Sequence, residues 1–325
     1  MRGTTKALFA TLAALSLGLT ACGGPAPAAG APAPASGTSA ISVGVIPVAE
    51  FFPVYVADDQ GFFKEAGLDV KIESMANAAS IVPSVLNGQL TFGTAATPPF
   101  LTAVEKKIPI TAVANAGSTT SEEGKDTGAF IVRADSDIGS PKDLSGKKVA
   151  VNALSSLPHV AAVARIAQDG GDPSTVQFVA MPFTDMQAAL EQNRVDALLS
   201  VEPFMSQSVG AGAKVISPLY TDVYPAGTTH TLYFTSKQFA AANPETVARF
   251  REALAKANAL VAKDPAILRT ALVKHGGMPQ KTAETVNLPT YASGFNMEGM
   301  TDMASKMKEN GFLTTDLDVG ASILK

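Results

Sequence analysis

Only a few side chains in this chain could do covalent or metal chemistry, and their spacing argues against both. One cysteine and three histidines occur among 325 residues. His159, His230 and His275 lie far apart and share no metal-ligand spacing. There is no G-x-S-x-G elbow and no H-E-x-x-H pair. Gly139 to Lys148 has the wrong glycine spacing for a phosphate-cradling loop, and Lys148 stands where a Ser or Thr would meet magnesium. Cys22, alone, cannot close an internal disulfide. Catalysis, a metal centre and a cofactor are therefore not expected. The groups left are suited to holding a small molecule by hydrogen bonds, stacking and charge. They are Phe51, Asn77, Ser80, Thr94, Thr97, Ser155, Ser156, His159 and Glu202, with Glu50 close to Phe51 in the chain.

What places these residues together is an alternation of strands and helices. Ile41 to Ile46 and Leu68 to Ile72 read as strands, with a helical pattern over Phe51 to Phe63 between them. A helix over Ile81 to Leu86, a strand over Leu90 to Thr94, a helix opened by Pro98-Pro99 and a strand over Pro109 to Ala114 follow. The pattern then recurs as a strand at Lys147 to Val151, a helix at Leu157 to Ala167 and a strand at Val176 to Met181. A helix at Thr184 to Gln192 and a strand at Val195 to Val201 complete it. Leu86 corresponds to Leu190 and Pro99-Phe100 to Pro203-Phe204 at one constant offset, as two similar lobes would require. Thr229 to Thr235 reads as a strand. Asn243-Pro244-Glu245 opens a helix carrying Val247, Phe250, Leu254 and Val261 on one face. Helical pattern continues through Leu272 and from Glu298 to Met307, as packing for the first lobe. Such alternation predicts an α/β fold of mostly parallel sheets covered on both faces. In open sheets of this kind ligands bind beyond the carboxyl ends of strands, at helix N-termini. The nominated residues all lie at such ends.

Each of them has a plainer use as well. Ser80, Thr97, Ser155 and Ser156 precede or open helices and could be N-caps. Phe51 could stack on a ligand, whereas Phe52 reads as core. His159 is either a ligand contact or a partly exposed surface histidine. Glu202 either caps the helix that Pro203 opens or accepts from an amine or ring N–H. No arginine is placed at these strand ends to clamp a sulfonate or carboxylate bidentately. With Glu50 and Glu202 near, a zwitterion or a nitrogen heteroaromatic suits the site better than a plain dianion.

The N-terminus has a different purpose. Arg2 and Lys6 precede a short apolar run from Ala7 to Leu19, the form of a secretory signal and too short for a comfortable bilayer span. Leu19-Thr20-Ala21-Cys22 resembles the bacterial lipobox. That resemblance implies removal of residues 1–21 and attachment of diacylglycerol to the Cys22 sulfur, with several acyl chains giving stable anchorage. Residues 23–39 are all Gly, Pro, Ala, Ser or Thr and have almost nothing to bury, so residues 22–39 read as a lipidated tether. The net charge of −4, with 17% charged residues, offers no basic footprint for nucleic acid. About 300 residues remain beyond the signal, near the size at which one core divides into two.

Several segments together resemble one family. Gly61-Phe-Phe-Lys-Glu-Ala-Gly-Leu-Asp-Val70 is similar to a stretch of the sulfonate-, taurine- and nitrate-binding branch of ABC-importer binding proteins. That branch also includes binders of thiamin-pyrimidine precursors and aromatic acids. Leu86 to Gly93 resembles its next step, with Thr91 where Asp is usual. Asp143-Leu-Ser-Gly-Lys-Lys-Val-Ala-Val151 and Val195-Asp-Ala to Glu202-Pro203-Phe204 resemble its second-lobe signatures. The resemblance implies two α/β lobes of the type II periplasmic-binding-protein kind joined by crossing strands. The lobes would be residues 40–127 plus 229–325 and residues 128–228. It further implies a monomer at the extracytoplasmic face of the cell membrane, delivering a small solute to an ABC permease and its ATPase. A synthase that makes the thiamin pyrimidine has a related fold, but it would need a cysteine-rich loop that this chain lacks. A binding domain that docks on a membrane sensor would need the same lipobox, tether and cleft.

Overall fold

A computed structural model describes residues 37–292 and 294–324. Cys22, the signal at 1–21 and most of the 22–39 tether lie outside the described residues. Thr38 to Lys325 forms one compact unit, built on two five-stranded sheets. Strands are numbered here in chain order. The first sheet contains β1 (Ser39–Val45), β2 (Leu68–Ser74), β3 (Phe92–Ala96) and β4 (Ile110–Ser118). The second contains β5 (Gly128–Val132), β6 (Lys148–Val151), β7 (Gln177–Ala180), β8 (Ala197–Val201) and β9 (Lys214–Pro218). The chain then returns to the first sheet as β10 (Thr229–Ser236).

The two sheets share one topology. Their orders are β2-β1-β3-β10-β4 and β7-β6-β8-β5-β9. β1 pairs in parallel with β2 and β3, just as β6 does with β7 and β8. The fourth strand is antiparallel in each: β10 to β3 and β4, and β5 to β8 and β9. Both antiparallel strands follow directly on the segments in which the chain crosses between sheets. The expected α/β class with mostly parallel sheets is thus present. The Leu86/Leu190 correspondence reflects equivalent helices, Ala78–Leu86 and Phe183–Glu191.

Local sequence explains most element ends. The single helix expected over Phe51 to Phe63 is instead a 3-10 turn, Ala49–Phe51, and two helices, Pro53–Asp59 and Phe62–Glu65. Gly61 divides them at φ 76°, a left-handed conformation that disfavours other residues. β3 begins at Phe92 rather than Leu90, because the helix before it turns out through Asn87 and Gly88. At Gly93 a side chain is excluded outright: a Cβ would lie 2.3 Å from Ile81 Cγ2 and 2.8 Å from the Phe234 ring. The long helix Pro244–Lys263 buries Val247, Phe250, Leu254, Ala257 and Val261 at helical spacing. Phe250 stacks on Phe92 with centroids 4.0 Å apart and meets Phe63 and Tyr233 at 5.7 and 5.8 Å. The C-terminal helices thereby cover the first sheet. Asn243 occupies the expected cap position, but its side chain donates back to Phe239 O instead of capping. Among the described residues, no helix is long and apolar enough to cross a membrane.

Candidate ligand-binding cleft

The carboxyl ends of the topologically equivalent strands β1 and β6 carry buried polar atoms that the protein leaves without partners. After β1, Glu50 is 3% exposed. Its Oε1 accepts from Thr127 Oγ1 at 2.8 Å, while Oε2 meets no donor. After β6, Asn152 Oδ1 and Ser156 Oγ are likewise buried and unpaired. Buried polar groups are nearly always satisfied; of the unpaired ones among the described residues three lie at corresponding strand ends, and the others are Gln187 Oε1, Tyr224 Oη, Thr228 Oγ1, His230 Nδ1 and Arg249 Nε. Ser156 is the cap residue of the helix Leu157–Gln168, yet its hydroxyl caps nothing.

The crossing segments form the floor between the two sheets. Asp126 accepts from Gly128 N–H at 2.9 Å and from Tyr220 and Thr221 N–H, each at 2.7 Å. It therefore ties the outgoing crossing to the returning one. Thr119 N–H donates to Thr228 O, and Gly227 N–H to Thr119 O. Tyr220 lies against Gly128 and 5.4 Å from the His230 ring. His230 is buried with Nδ1 unpaired, and burial holds its pKa down at about 4. We expect Asp126→Asn to lower stability by about 1–3 kcal/mol, because an amide turned to either side leaves buried N–H groups facing N–H. An unchanged urea midpoint would show that the crossings are held otherwise.

Glu202 sits at the end of β8, fully buried. Its Oε2 accepts from Ser206 N–H at 3.1 Å, and its Oε1 from Ser206 Oγ at 2.8 Å and Asn287 N–H at 2.9 Å. Its carbonyl accepts from Ala49 N–H at 3.0 Å, and its own N–H donates to Thr127 O. The carboxyl thus caps its own helix, as the plainer alternative had it, and also holds the C-terminal segment. Burial pushes both Glu50 and Glu202 up to about 7. Thr127 opposes this at Glu50, where Glu202 and Asp126 add to it; Asn287 and Ser206 oppose it at Glu202.

The other nominated residues divide by what they touch. Phe51 is buried, edge-on to Tyr233 at 5.8 Å, so its ring joins the first-sheet core that Phe52 was expected to supply. Thr94 Oγ1 accepts from Ile46 N–H and donates to Gly44 O, and Thr97 Oγ1 donates to Thr229 O. Both hydroxyls stitch strands and are not exposed to a cleft. Asn77 caps the helix Ala78–Leu86 by accepting from Ser80 N–H, and Ser80 Oγ donates to Asn77 O. Ser155 adopts φ 58° and gives its N–H to His159 Nδ1 at 2.9 Å. His159 is half-buried, edge-on to Phe178 and Phe312, with its pKa pushed down by burial to about 4. Leu154 and Ser155 close one end of a groove of about 440 Å³ between the helices Ala78–Leu86 and Thr97–Glu105. A wider hollow of about 850 Å³ runs along the crossing segments past Glu122, Asp126, Asp222 and Asn287. We favour the strand-end location, because there buried polar atoms without partners fall at the matching ends of the two sheets. Among the described residues no group of three His, Cys, Asp or Glu side chains is placed to hold a metal.

Sequence reasoning put Glu50 near the cleft but did not nominate it. Its signal was its position just after β1. Asn287 and Asp126 had no comparable signal, since their roles arise from contacts across the fold.

Residues 48–268 match the model of the "NMT1/THI5 like" family. No curated protein sequence matches the chain. Among solved structures, the chain is similar to the alkanesulfonate-binding protein SsuA from Xanthomonas axonopodis pv. citri, bound to MOPS. The TM-score is 0.75 at 16% identity, covering 89% of this chain and 99% of that one. The aliphatic sulphonate-binding protein SsuA from Escherichia coli aligns with a TM-score of 0.71 at 19% identity, covering 88% and 97%. The nitrate-binding protein NrtA from Synechocystis PCC 6803 gives 0.73 at 15% identity, covering 88% and 85%. At such identities these likenesses establish a shared periplasmic-binding-protein fold.

Proposed function

We propose that this chain, which belongs to the NMT1/THI5-like family, is the lipid-anchored, extracytoplasmic solute-binding protein of an ABC importer. Two lobes, residues 40–127 plus 229–325 and residues 128–228, close on a small organic solute and deliver it to the permease. The observation that carries this reading is the set of unpaired buried atoms at the ends of β1 and β6. These are matched strand ends of two matched sheets, where an α/β fold places its ligand. Crossing segments joined at Asp126 provide a hinge, and hinge closure is the way such two-lobed binders trap a solute. An aminosulfonate or a nitrogen heteroaromatic fits a floor that carries the carboxyls of Glu50, Asp126 and Glu202, to which no arginine donates among the described residues. Ser156 with Asn152 and His159 with Ser155 remain our proposed neighbours of the solute on the β6 side, and Asn77 and Ser80 on the β1 side, while Phe51, Thr94, Thr97 and Glu202, engaged within the protein, support the cleft from behind.

A thermal-shift screen of the purified protein tests the binding role. The panel holds taurine, alkanesulfonates, nitrate, aromatic carboxylates, aminopyrimidines and riboflavin. A solute at a hundred times its Kd stabilises by about 2.7 kcal/mol. A panel without a single shift would count against a solute from any of these classes. For the anchor, wild-type protein should fractionate with membranes and carry diacylglycerol at Cys22, and Cys22→Ser should abolish the modification. A wild-type protein free of lipid by mass spectrometry would end the anchoring claim.

A further inference from the structure

We infer that Glu50 reads the solute through its free carboxylate oxygen, which accepts a hydrogen bond from a nitrogen-borne proton, so the solute class is one carrying an ammonium, amino or ring N–H group. This rests on the solute-binding reading above and deepens it. Glu202 offers no such opportunity: both of its oxygens are already engaged by Ser206 and Asn287. Glu50 has one oxygen held by Thr127 and one that meets no donor, in a side chain 3% exposed. An acceptor left in this state is costly once buried, and a solute N–H removes that cost. Closure of the lobes on a solute without a donor would strand the oxygen. Closure on an amine or ring N–H would not, so the same atom sets both specificity and the condition for closing.

The surrounding charges favour a positive or donor-bearing group. Asp126 and Glu202 are the charged groups that bear on Glu50, and both are acids. Tyr220 and Tyr291 approach it from the returning crossing and the C-terminal segment. Burial raises both phenols, so they stay neutral. The Tyr291 hydroxyl is used on Ala49 O at 3.1 Å. Arg269 bears on Glu202, and its guanidinium donates to the Ala283 and Val286 carbonyls. No lysine or arginine neutralises Glu50 among the described residues. Next to Tyr220 the buried His230 also keeps Nδ1 unpaired. Gly117 leaves space for Glu50: a Cβ there would come within 2.8 Å of Glu50 Cγ.

Binding of a cation requires the ionised carboxylate, and the empty protein holds Glu50 protonated up to about 7. Affinity for an ammonium-bearing solute should therefore rise as pH increases from 5.5 to 7.5, with release of a proton.

The test uses the full-length protein in detergent with paired probes that differ only in the donor. Taurine is set against ethanesulfonate, and 4-amino-2-methylpyrimidine against 2-methylpyrimidine, by calorimetry at pH 5.5 and 7.5. In at least one pair the amino member should bind at least ten-fold more tightly than its mate. Glu50→Gln should reduce that preference at least ten-fold, the amino member losing affinity relative to its mate, and circular dichroism should confirm that the variant is folded. For taurine, wild-type affinity should increase at least three-fold between the two pH values. Tight binding of ethanesulfonate or 2-methylpyrimidine, or an amino preference that survives Glu50→Gln, overturns the inference and leaves the solute-binding role standing. A full set of probes that neither binds nor closes the lobes removes support from both.

Discussion

Glu202→Ala should destabilise the protein by about 3–5 kcal/mol, near pH 6, with or without solute. The carboxyl accepts from the Ser206 N–H, the Ser206 hydroxyl and the Asn287 N–H. Truncation leaves these three donors in a buried site and opens a void besides. Asn287 also donates through its side chain to Gly124 and Asp126 carbonyls, so freeing its backbone loosens the C-terminal segment from the crossing. Glu202→Gln keeps the Oε1 acceptor and loses only the Oε2 contact to Ser206 N–H, for a loss of about 1–2 kcal/mol. Urea unfolding of both variants separates structural pinning from solute recognition. If Glu202→Ala unfolds at the wild-type midpoint, the pinning role is wrong, and Glu202 returns to the list of groups that face solute first.

The sheet alternation was readable because it is a local property. β1 and β2 have strand periodicity, and Pro98 and Pro244 announce helix starts that the chain honours at Thr97–Glu105 and Pro244–Lys263. β5 and β9 gave no such signal. Gly128-Ala-Phe-Ile-Val132 is a short apolar run buried throughout, and periodicity cannot sort such a run. β9 is an edge strand with Val215 exposed and Pro218 at its end, as an edge tolerates and an interior strand does not. The site residues show the same division. Strand-end position is local and pointed to Glu50, Ser156 and Glu202. Which carboxyl oxygen stays free is decided by Thr127, Ser206 and Asn287, and those partners are fixed only by the crossing topology. Phe51 and Phe52 are neighbours of one type in sequence; Tyr233, from a distant strand, buries the first of them.

Glu50→Gln should stabilise the solute-free protein by about 3 kcal/mol at pH 8, while changing little at pH 4.5. Burial raises the folded-state carboxyl from 4.5 to about 7, so the folded protein holds a proton that the unfolded chain has released over that interval. Stability falls with rising pH wherever the native state binds more protons, so the loss begins near the unfolded value and is complete above about 7. A shift of this size corresponds to about 3 kcal/mol. Glutamine is close in shape and keeps an acceptor for Thr127, but it has no charge to desolvate. Glu202 titrates in the same window and repels Glu50, so removing one charge also relieves the other. Subtracting the variant's pH profile from that of the wild type cancels the carboxylates whose pKa is lowered elsewhere, such as Asp59 and Glu105. What remains should be a difference near zero at pH 4.5 that grows through pH 7 and then levels. A flat difference would mean that Glu50 is solvated in the solute-free protein, and that the buried arrangement belongs to the closed state alone.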